Sequence, residues 1–256
     1  MSHPPLRFVC IGTGNSEPQA DRGPTSTLIR YREQRIVVDL GSGALQKLAA
    51  ADAHPSEVDA ICLTHLHIDH ISDLQALLFG ISVETIPRQK PLDIYASSET
   101  LAYVLAMKTS LEKWLSRRDD LLRWHEVTTH DAFVIGDVKV MTSTVNHSSS
   151  SVALKFITPE AQTLAIPGDT GPHAPLEDFL RGVDAAIIEC GSDPSDPVPT
   201  HLSPEELRAL LVAANPKRAF VVHRPVRMQS YPLEAFLQEQ YTGQVIVPND
   251  LDAFDL

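Results

Sequence analysis

The feature that most constrains this chain is a run of six residues, His65-Leu66-His67-Ile68-Asp69-His70. A short apolar run at residues 60–63 precedes it, and an apolar helical pattern at residues 69–78 follows it. The chain therefore turns from a strand into a helix at this point, and the turn presents three imidazoles and a carboxylate. Zinc, manganese and iron all accept these ligands. The run predicts a metal site at the end of a strand.

The spacing inside the run fits two neighbouring ions. In an extended turn, residues two apart can point the same way, so His65 and His67 can hold one ion. Asp69 and His70, which enter the helix, can hold a second. Two ions roughly 3.5–4 Å apart polarise both the attacking and the leaving oxygen of a substrate and lower the pKa of a shared water. The remaining ligands have to come from elsewhere in the chain.

Three more candidate ligands come soon after apolar strands later in the chain: His147, Asp169 and His223. Loops at the ends of strands are where enzymes commonly keep their chemistry. Taken alone, each residue has an ordinary structural interpretation. Asp169, for example, follows Gly168, and Gly-Asp pairs are common in turns. In company with the histidine-rich run, all three are predicted to complete the metal site.

The order of the segments predicts an α+β fold with two sheets packed face to face and helices on the outer face of each sheet. Residues 203–206, Ser-Pro-Glu-Glu, form a capping box with proline at the first helical position. We expect one domain over residues 1–256. The predicted strands are 6–11, 27–31, 35–39, 60–63, 138–144, 152–157, 164–166, 185–189, 218–222 and 244–247, and the predicted helices are 44–50, 69–78, 97–114 and 203–213.

The composition fits a globular enzyme. The chain has 256 residues, of which 43% are hydrophobic, enough for a large core. No cationic start precedes a long apolar run, and no stretch approaches the roughly 18 apolar residues of a membrane helix. Three scattered cysteines, Cys10, Cys62 and Cys190, form no CxxC pair and fit a reducing compartment. We therefore expect a cytoplasmic protein.

The formal net charge of −12 bears on the partner. A protein that grips a long polyanion usually carries a basic stripe, and none is evident here. Bound dications would still make the site locally positive, which suits a small anion. We expect no long nucleic acid and no membrane as partner. The basic clusters, interpreted as solvated surface, are Arg30, Arg32 and Arg35; Arg117, Arg118 and Arg123; and Lys217, Arg218, Arg224 and Arg227.

The order of the candidate ligands resembles that of the metallo-β-lactamase superfamily over nearly the whole chain. The resemblance implies an αββα sandwich with the metals at one edge. Asp39, in Val37-Val38-Asp39-Leu40-Gly41, matches an aspartate that orients the ligand histidines in that family. By the same resemblance, the first ion is held by His65, His67 and His147, the second by Asp69, His70 and His223, and both by Asp169 as a bridge.

Two later motifs resemble the class II cyclic-nucleotide phosphodiesterases. One is Glu189-Cys190-Gly191 and the other is Thr200-His201-Leu202-Ser203-Pro204. Gly191 departs from that group, where serine is usual, and Val222-His223-Arg224-Pro225 replaces its usual last motif. His201 also has an ordinary interpretation as a loop residue before a capped helix. These departures leave the substrate open.

This resemblance implies cleavage of a small phosphodiester such as a cyclic nucleotide. A hydroxide that bridges two metal ions would attack phosphorus, and His201 would protonate the leaving oxygen. Glu189 would either orient His201 or serve as a structural acid, and Asp69 would help to align the hydroxide. The cofactors implied are two divalent transition-metal ions, zinc first, with manganese and iron also suited.

Ribonuclease Z is the nearest alternative on the same fold, because it has much the same ligand order. The short segment between His147 and Asp169 leaves no room for the long arm with which many ribonuclease Z members grip transfer RNA. The phosphoribosyl cyclic-phosphate phosphodiesterases have comparable length and spacing. The residues 12–16, Gly-Thr-Gly-Asn-Ser, are closer to these two groups, and such a turn is either a simple loop or a phosphate contact.

Two more alternatives come from other classes. A lactonase, thioesterase or β-lactamase would place a Gly-His-Thr-Pro-Gly turn around the third histidine, where this chain has Asn146-His147-Ser148. A non-catalytic scaffold would have an eroded ligand set, and this set is complete. The sequence is compatible with a homodimer. The helix predicted at residues 97–114, which includes Trp114, either covers the site, contacts a partner subunit or packs in the core.

Overall fold

The structure is a computed structural model that describes residues 5–111 and 117–256. Each half of this part of the chain begins with consecutive strands and continues with strands that alternate with helices. The strands are β1 (Arg7–Gly12), β2 (Ser26–Tyr31), β3 (Gln34–Val38), β4 (Ala60–Cys62), β5 (Leu92–Ala96), β6 (Leu122–Glu126), β7 (Ala132–Ile135), β8 (Val138–Ser143), β9 (Ala153–Ile157), β10 (Thr163–Ile166), β11 (Ala185–Glu189), β12 (Arg218–Val222), β13 (Gln244–Ile246) and β14 (Ala253–Asp255). The helices are α1 (Ala44–Ala50), α2 (Ile68–Ser82), α3 (Ser98–Leu111), α4 (Ala174–Leu180), α5 (Pro204–Ala214) and α6 (Leu233–Gln238).

The strands form two sheets of seven strands each in the described residues. The first has the order β14-β1-β2-β3-β4-β5-β6 and the second has the order β13-β12-β11-β10-β9-β8-β7. In each sheet one part is antiparallel and the other part is parallel: β3 to β6 run parallel in the first sheet, and β10 to β13 run parallel in the second. β14 pairs with β1, so the two ends of the described chain meet in one sheet.

Alternation along the strands divides the apolar side chains among three cores. In β3, Ile36 and Val38 lie in the core between the sheets, and Val37 lies in the core under the helices. In β11, Ile187 faces the other sheet and Ile188 faces the helices on the opposite surface. Strands that are apolar on both faces need cover on both faces. The predicted α+β, four-layer αββα sandwich is therefore confirmed, whereas its extent as one domain over 1–256 stays a prediction.

One edge of this sandwich gathers the candidate site. The carboxyl ends of parallel strands lie at the same edge of a sheet. β8 runs antiparallel to β9, and β9 runs antiparallel to β10, so β8 also ends at this edge. The loops after β3, β4, β8, β10, β11 and β12 consequently meet at this edge. Each of these six loops carries a residue singled out in the sequence.

Several elements differ from the sequence-based expectation. α2 runs from Ile68 to Ser82, four residues past the predicted end. α3 covers Ser98–Leu111, and Trp114 of the predicted helix lies outside the described residues. The sequence patterns missed β5, β6, β7, β14, α4 and α6. β6, with sequence LRWHE, is polar at an edge of its sheet, and α6 has six residues, too few to display a helical period.

None of the helices in residues 5–111 and 117–256 has both the length and the apolar character needed to cross a membrane. The cytoplasmic location stays a prediction.

Candidate metal centre

The turn after β4 supplies four of the candidate ligands. β4 ends at Cys62, the side chain of His65 is fully buried, and α2 begins at Ile68 with His67 as its N-cap. The amide of His70 donates to the carbonyl of His67 at 2.9 Å, which closes the first turn of the helix. The strand-to-helix turn expected at this run is therefore present.

The first group of potential ligand atoms comes from His65, His67, His147 and Asp169, and these atoms all lie within 4.8 Å of one another. His147 Nε2 lies 2.9 Å from His67 Nδ1. Asp169 Oδ2 lies 3.8 Å from the Nε2 atoms of both His65 and His147. His67 is exposed, so this side of the group opens to solvent.

The second group consists of Asp69, His70 and His223. His223 Nε2 lies 3.4 Å from Asp69 Oδ2, and His70 Nε2 lies 3.9 Å from the same oxygen. Asp169 also reaches this group, because its Oδ1 lies 3.4 Å from His70 Nε2 and its Oδ2 lies 3.3 Å from His223 Nε2. Asp169 thus lies between the two groups.

These residues fit a pair of divalent metal ions. The Nε2 atoms of His65 and His70 are buried and have no hydrogen-bond partner in the described residues. A buried polar atom without a partner is costly, and buried ring nitrogens that converge on a carboxylate are commonly satisfied by a metal. The donor set of imidazoles and carboxylates is also the one that zinc, manganese and iron accept.

Hydrogen bonds on the far side of three rings set which nitrogen faces the site. His70 Nδ1 lies 2.8 Å from Asp39 Oδ2, and His147 Nδ1 lies 3.0 Å from the carbonyl of Thr200. His65 Nδ1 lies 3.0 Å from Thr64 Oγ1, which itself donates to Asp39. All three partners can accept a hydrogen bond from Nδ1, and in the neutral form of each ring this arrangement leaves the Nε2 lone pair turned towards the site.

Asp39 organises this support. It follows β3 with a φ of 60°, in the left-handed region, and its side chain is buried. Its carboxylate accepts from the amide and the hydroxyl of Thr64, each at 2.7 Å, and from His70. The geometry matches the orienting role that the sequence resemblance implied for Asp39.

The charges at the site favour a cation. Burial lowers the pKa of His65, and neighbouring His70 lowers it further. Burial alone would also lower the pKa of His70, but the carboxylates of Asp169 and Asp39 outweigh burial and raise that pKa well above its usual value. Burial acts to raise the pKa of Asp169, yet the charges of His223 and His70 hold it well below the usual range. The carboxylates therefore attract positive charge into this buried space.

His201 lies at the rim of the same cluster. Its Nδ1 lies 2.7 Å from Glu189 Oε1, and its ring centre lies 4.9 Å from that of His147 and 5.5 Å from that of His223. Burial acts to lower the pKa of His201, but the hydrogen bond and the charge of Glu189 outweigh it and raise the pKa. A ligand atom of His201 also lies within 4.8 Å of Asp169 and His223, so its ring is close enough to act at the centre.

Glu189 makes the contacts that both roles left open by the sequence would need. Besides His201, its buried carboxylate accepts from three backbone amides, those of Thr170, Gly191 and Leu202. It therefore orients the histidine and also ties the loops after β10 and β11 together. Thr170 and Thr200, which contact Glu189 and His147, are support residues that the sequence analysis missed, since backbone contacts leave no sequence signal.

Gly191 leaves no space for a side chain. A Cβ at this position would lie 2.8 Å from Glu189 Oε2, 3.0 Å from His201 Nδ1 and 3.1 Å from His223 Nδ1. This close approach is consistent with glycine at the position where the resembling group has serine.

The structure brings together every residue that the sequence analysis assigned to the site. The other six candidate ligands lie around Asp169, and His201 and Glu189 lie beside them. Metal binding and the catalytic roles stay predictions. Three arginines, Arg30, Arg35 and Arg224, depart from their interpretation as solvated surface, because each is half-buried and its Nε is buried without a hydrogen-bond partner in the described residues.

Known proteins resemble this chain in both sequence and structure. A family model described as the beta-lactamase superfamily domain matches residues 34–224. Ribonuclease Z of Mycobacterium sp. (strain KMS) is 33% identical over 192 residues, which cover 71% of this chain and 67% of the relative. A ribonuclease Z of Mycobacterium bovis (strain BCG / Pasteur 1173P2) is 29% identical over 193 residues and covers 71% and 69% of the two chains.

Solved structures share the fold over nearly the whole length. The metallo-beta-lactamase fold protein YhfI from Bacillus subtilis superposes with a TM-score of 0.84 at 19% identity, covering 98% of this chain and 100% of that chain. A diphosphatase from the PhnP family gives a TM-score of 0.76 at 17% identity, covering 98% of each chain. The chain belongs to the beta-lactamase superfamily, among the hydrolases of the metallo-β-lactamase fold, in the phosphodiesterase branch that includes ribonuclease Z.

Proposed function

We propose that this chain is a metal-dependent phosphodiesterase that hydrolyses a small, cyclic phosphodiester. The observation that carries the proposal is His201, held by Glu189 at 2.7 Å beside the ligand cluster around Asp169. The alkoxide that leaves a cyclic nucleotide or sugar phosphodiester is strongly basic, so a positioned proton donor assists its departure.

Seven side chains would hold the metals. His65, His67 and His147 surround one position, Asp69, His70 and His223 surround the other, and Asp169 reaches both. Two divalent ions, zinc by preference, would supply an acidified water and neutralise the charge of the phosphoryl oxygens.

His201 would donate the proton that the leaving oxygen needs. Glu189 occupies its Nδ1, which leaves Nε2 as the nitrogen available to substrate. The carboxylate also raises the pKa of His201, so a larger fraction of the ring carries the proton at neutral pH. Asp69, 3.4 Å from His223, has an oxygen at the rim of the cluster that can orient the attacking water.

A ribonuclease Z-like activity on RNA is the second candidate, because relatives named ribonuclease Z are up to 33% identical to this chain. The site alone does not separate the two activities. Residues 158–162 are the whole connection between β9 and β10, which leaves no arm for a long RNA in this segment. The net charge of −12 also disfavours a long polyanion.

A substrate panel with defined metals tests the proposal. It contains 3′,5′- and 2′,3′-cyclic nucleotides, ribose cyclic phosphate, a transfer-RNA precursor, a chromogenic lactam and a thioester. We expect turnover of a cyclic phosphodiester, and a fall of roughly 10²–10⁴-fold in kcat for His201→Ala with unchanged metal content. His54→Ala is the control, because the side chain of His54 is exposed and, among the described residues, hydrogen-bonds only to Ser56. Cleavage of the transfer-RNA precursor alone, or full activity of His201→Ala, would contradict the proposal.

A further inference from the structure

The side chain of Asn146 lies where three loops of the site meet. Asn146 directly precedes the candidate ligand His147 in the loop after β8. Its Nδ2 donates to the carbonyl of Pro172, in the loop after β10, at 3.3 Å and to the carbonyl of Pro199, in the loop after β11, at 3.4 Å. One exposed amide therefore connects the loop of a candidate ligand with the loop that carries the candidate acid, His201.

The NH₂ group of Asn146, and not its Oδ1, faces the two carbonyls, because carbonyl oxygens only accept hydrogen bonds. The backbone of Asn146 is held as well. Its amide donates to Thr170 Oγ1 at 3.2 Å, and its carbonyl accepts from the amide of Gly171 at 2.8 Å. The side chain therefore extends from a base that is fixed on the loop after β10, and it reaches the loop after β11 at Pro199.

Two consecutive carbonyls of the loop after β11 contact two consecutive residues of the loop after β8. The carbonyl of Pro199 accepts from Asn146, and the carbonyl of Thr200 lies 3.0 Å from His147 Nδ1. The residue that follows these two carbonyls is His201. The contact at Thr200 orients a candidate ligand, and the contact at Pro199 has no such use. Both contacts hold the backbone directly before the candidate acid.

The backbone before His201 is stiff and tightly packed. Pro197 and Pro199 each fix one φ angle at about −65°. The amide of His201 donates to the carbonyl of Val198 at 3.0 Å. On the other side, the backbone of Gly171 comes so close that a Cβ at this position would lie 2.0 Å from the carbonyl oxygen of Pro199. Because few torsions between Pro199 and His201 are free to compensate, a shift of Pro199 moves His201 as well.

We propose that Asn146 is a positioning residue, which holds His201 where it can protonate the leaving oxygen at the metal centre. The inference rests on the proposed function. Glu189 sets the direction of the His201 ring, because its carboxylate lies 2.7 Å from Nδ1. Asn146 sets the position of the backbone that carries the ring. A displacement of about 1 Å at a catalytic group lowers turnover by about 100-fold, so the loss of this one exposed donor affects the reaction far more than the fold.

The leaving group of the substrate tests the inference. A cyclic nucleotide releases a strongly basic alkoxide and depends on a proton donor, whereas bis-p-nitrophenyl phosphate releases the weakly basic p-nitrophenolate. With the metal content verified, Asn146→Ala should lower kcat about 10–100-fold for the cyclic substrate and less than about 3-fold for bis-p-nitrophenyl phosphate. The loss should lie in kcat and not in KM. A merely structural role would lower both activities by the same factor, and this result would overturn the inference.

A double-mutant cycle shows whether Asn146 acts through His201. In a His201→Ala protein no donor is left to position, so the further change Asn146→Ala should lower kcat for the cyclic substrate by less than about 2-fold. Losses that add fully in the cycle would overturn the inference.

Two further variants separate the amide from its shape and from its loop. Asn146→Leu keeps the branching of the side chain without its donor, and it should behave as Asn146→Ala. Ser149→Ala is the control in the same loop, because Ser149 is exposed and its hydroxyl donates to Glu99 at 2.7 Å. It should retain the kcat of the wild type. Full activity of Asn146→Leu would show that the amide is not the link, which would overturn the inference.

Nuclear magnetic resonance separates this inference from the proposed function. In zinc-loaded protein with isotope-labelled histidine, the ring signals of His201 are those that are missing from His201→Ala. They should shift in Asn146→Ala and stay unchanged in Ser149→Ala. A wild type that hydrolyses no cyclic phosphodiester would contradict the proposed function, while a shift confined to Asn146→Ala would still support the link between Asn146 and His201. Identical His201 signals in the wild type and Asn146→Ala would overturn the inference alone.

Discussion

At the scale of single residues, Asp39 supports the site although it is not a candidate ligand. It is buried, it has a left-handed backbone conformation, and its carboxylate accepts from Thr64 twice and from His70. These bonds orient two candidate ligand rings, that of His70 directly and that of His65 through Thr64. Asp39 is not itself a candidate metal ligand. Mutation of such a supporting partner commonly lowers metal affinity by roughly 10–100-fold.

We predict that Asp39→Asn lowers metal affinity by roughly 10–100-fold. An amide keeps the shape of the side chain, but its NH₂ group faces donors on Thr64 or His70 and cannot accept from them. The measurement is metal competition against a chelator of known affinity. Asp73→Asn is the control, because Asp73 caps the amide of Leu45 at 3.0 Å and touches no candidate ligand in the described residues. Unchanged affinity in Asp39→Asn would show that Asp39 does not orient the rings.

Gly191 gives a second prediction at this scale. Its missing Cβ would lie within 2.8–3.1 Å of Glu189, His201 and His223, so Gly191→Ala has to displace at least one of them. A displacement of about 1 Å at such a site lowers turnover by about 100-fold. Steady-state kinetics measures the effect. Gly182→Ala is the comparison, because its added Cβ meets nothing within 4 Å, so it should cost about 1 kcal/mol of stability at a φ of 63° and leave turnover unchanged. Equal turnover in both variants would contradict the packing described for Gly191.

At the scale of elements, the amino ends of β10, β11 and β12 are joined by one carboxylate. Asp184, just before β11, accepts from the amide and hydroxyl of Thr163 in β10, at 2.8 and 3.0 Å. It also pairs with Lys217, just before β12, at 2.6 Å. Burial acts to raise the pKa of Asp184, but the bonds from Lys217 and Thr163 outweigh it and lower the pKa.

This lowered pKa predicts a pH-dependent contribution to stability. A carboxyl whose folded pKa lies below its unfolded value of about 3.9 stabilises the fold above that value and loses its contribution as the pH falls through the folded pKa. Asp184→Asn should therefore cost about 0.5–1.5 kcal/mol at pH 7, after allowance for solvent screening, and progressively less below about pH 4. Urea unfolding at several pH values measures this. Asp178→Asn is the comparison, because this carboxylate has 83% side-chain exposure and its replacement should leave stability at pH 7 nearly unchanged. A cost for Asp184→Asn that is constant with pH would contradict the assignment.

The sequence patterns predicted the elements that carry the site more completely than those that do not. Runs of β-branched residues marked β3, β4, β11 and β12, because these strands are buried on both faces. β6 and β14 lie at sheet edges, where polar residues replace the apolar pattern. Site loops were therefore predictable. Of the edge strands in the described sheets, β13 was predicted and β6, β7 and β14 were not, and the interior strand β5 was also missed.

At the scale of the whole molecule, the two sheets bring distant parts of the sequence to one edge. Residues 65–70 are local in sequence, and their spacing alone predicted a metal site. His147, Asp169 and His223 were predicted because each comes soon after a strand, because the histidine-rich run needs further ligands and because their order resembles that of the family. The direction of the strands explains why they meet. The contacts of the Thr200 carbonyl and of the Asn146 amide depend on loop conformations that leave no sequence pattern.

The central claim is that seven side chains form one centre for two metal ions, and metal analysis by mass spectrometry tests it most directly. The purified wild type, reconstituted with zinc, manganese or iron and freed of excess metal, should hold about two ions per chain. His67→Ala should lose metal and activity together, and His54→Ala, a change at an exposed histidine remote from the cluster in sequence, should keep both. A wild type that stays metal-free with every one of these ions, or a His67→Ala protein with the full metal content and activity, would contradict the account.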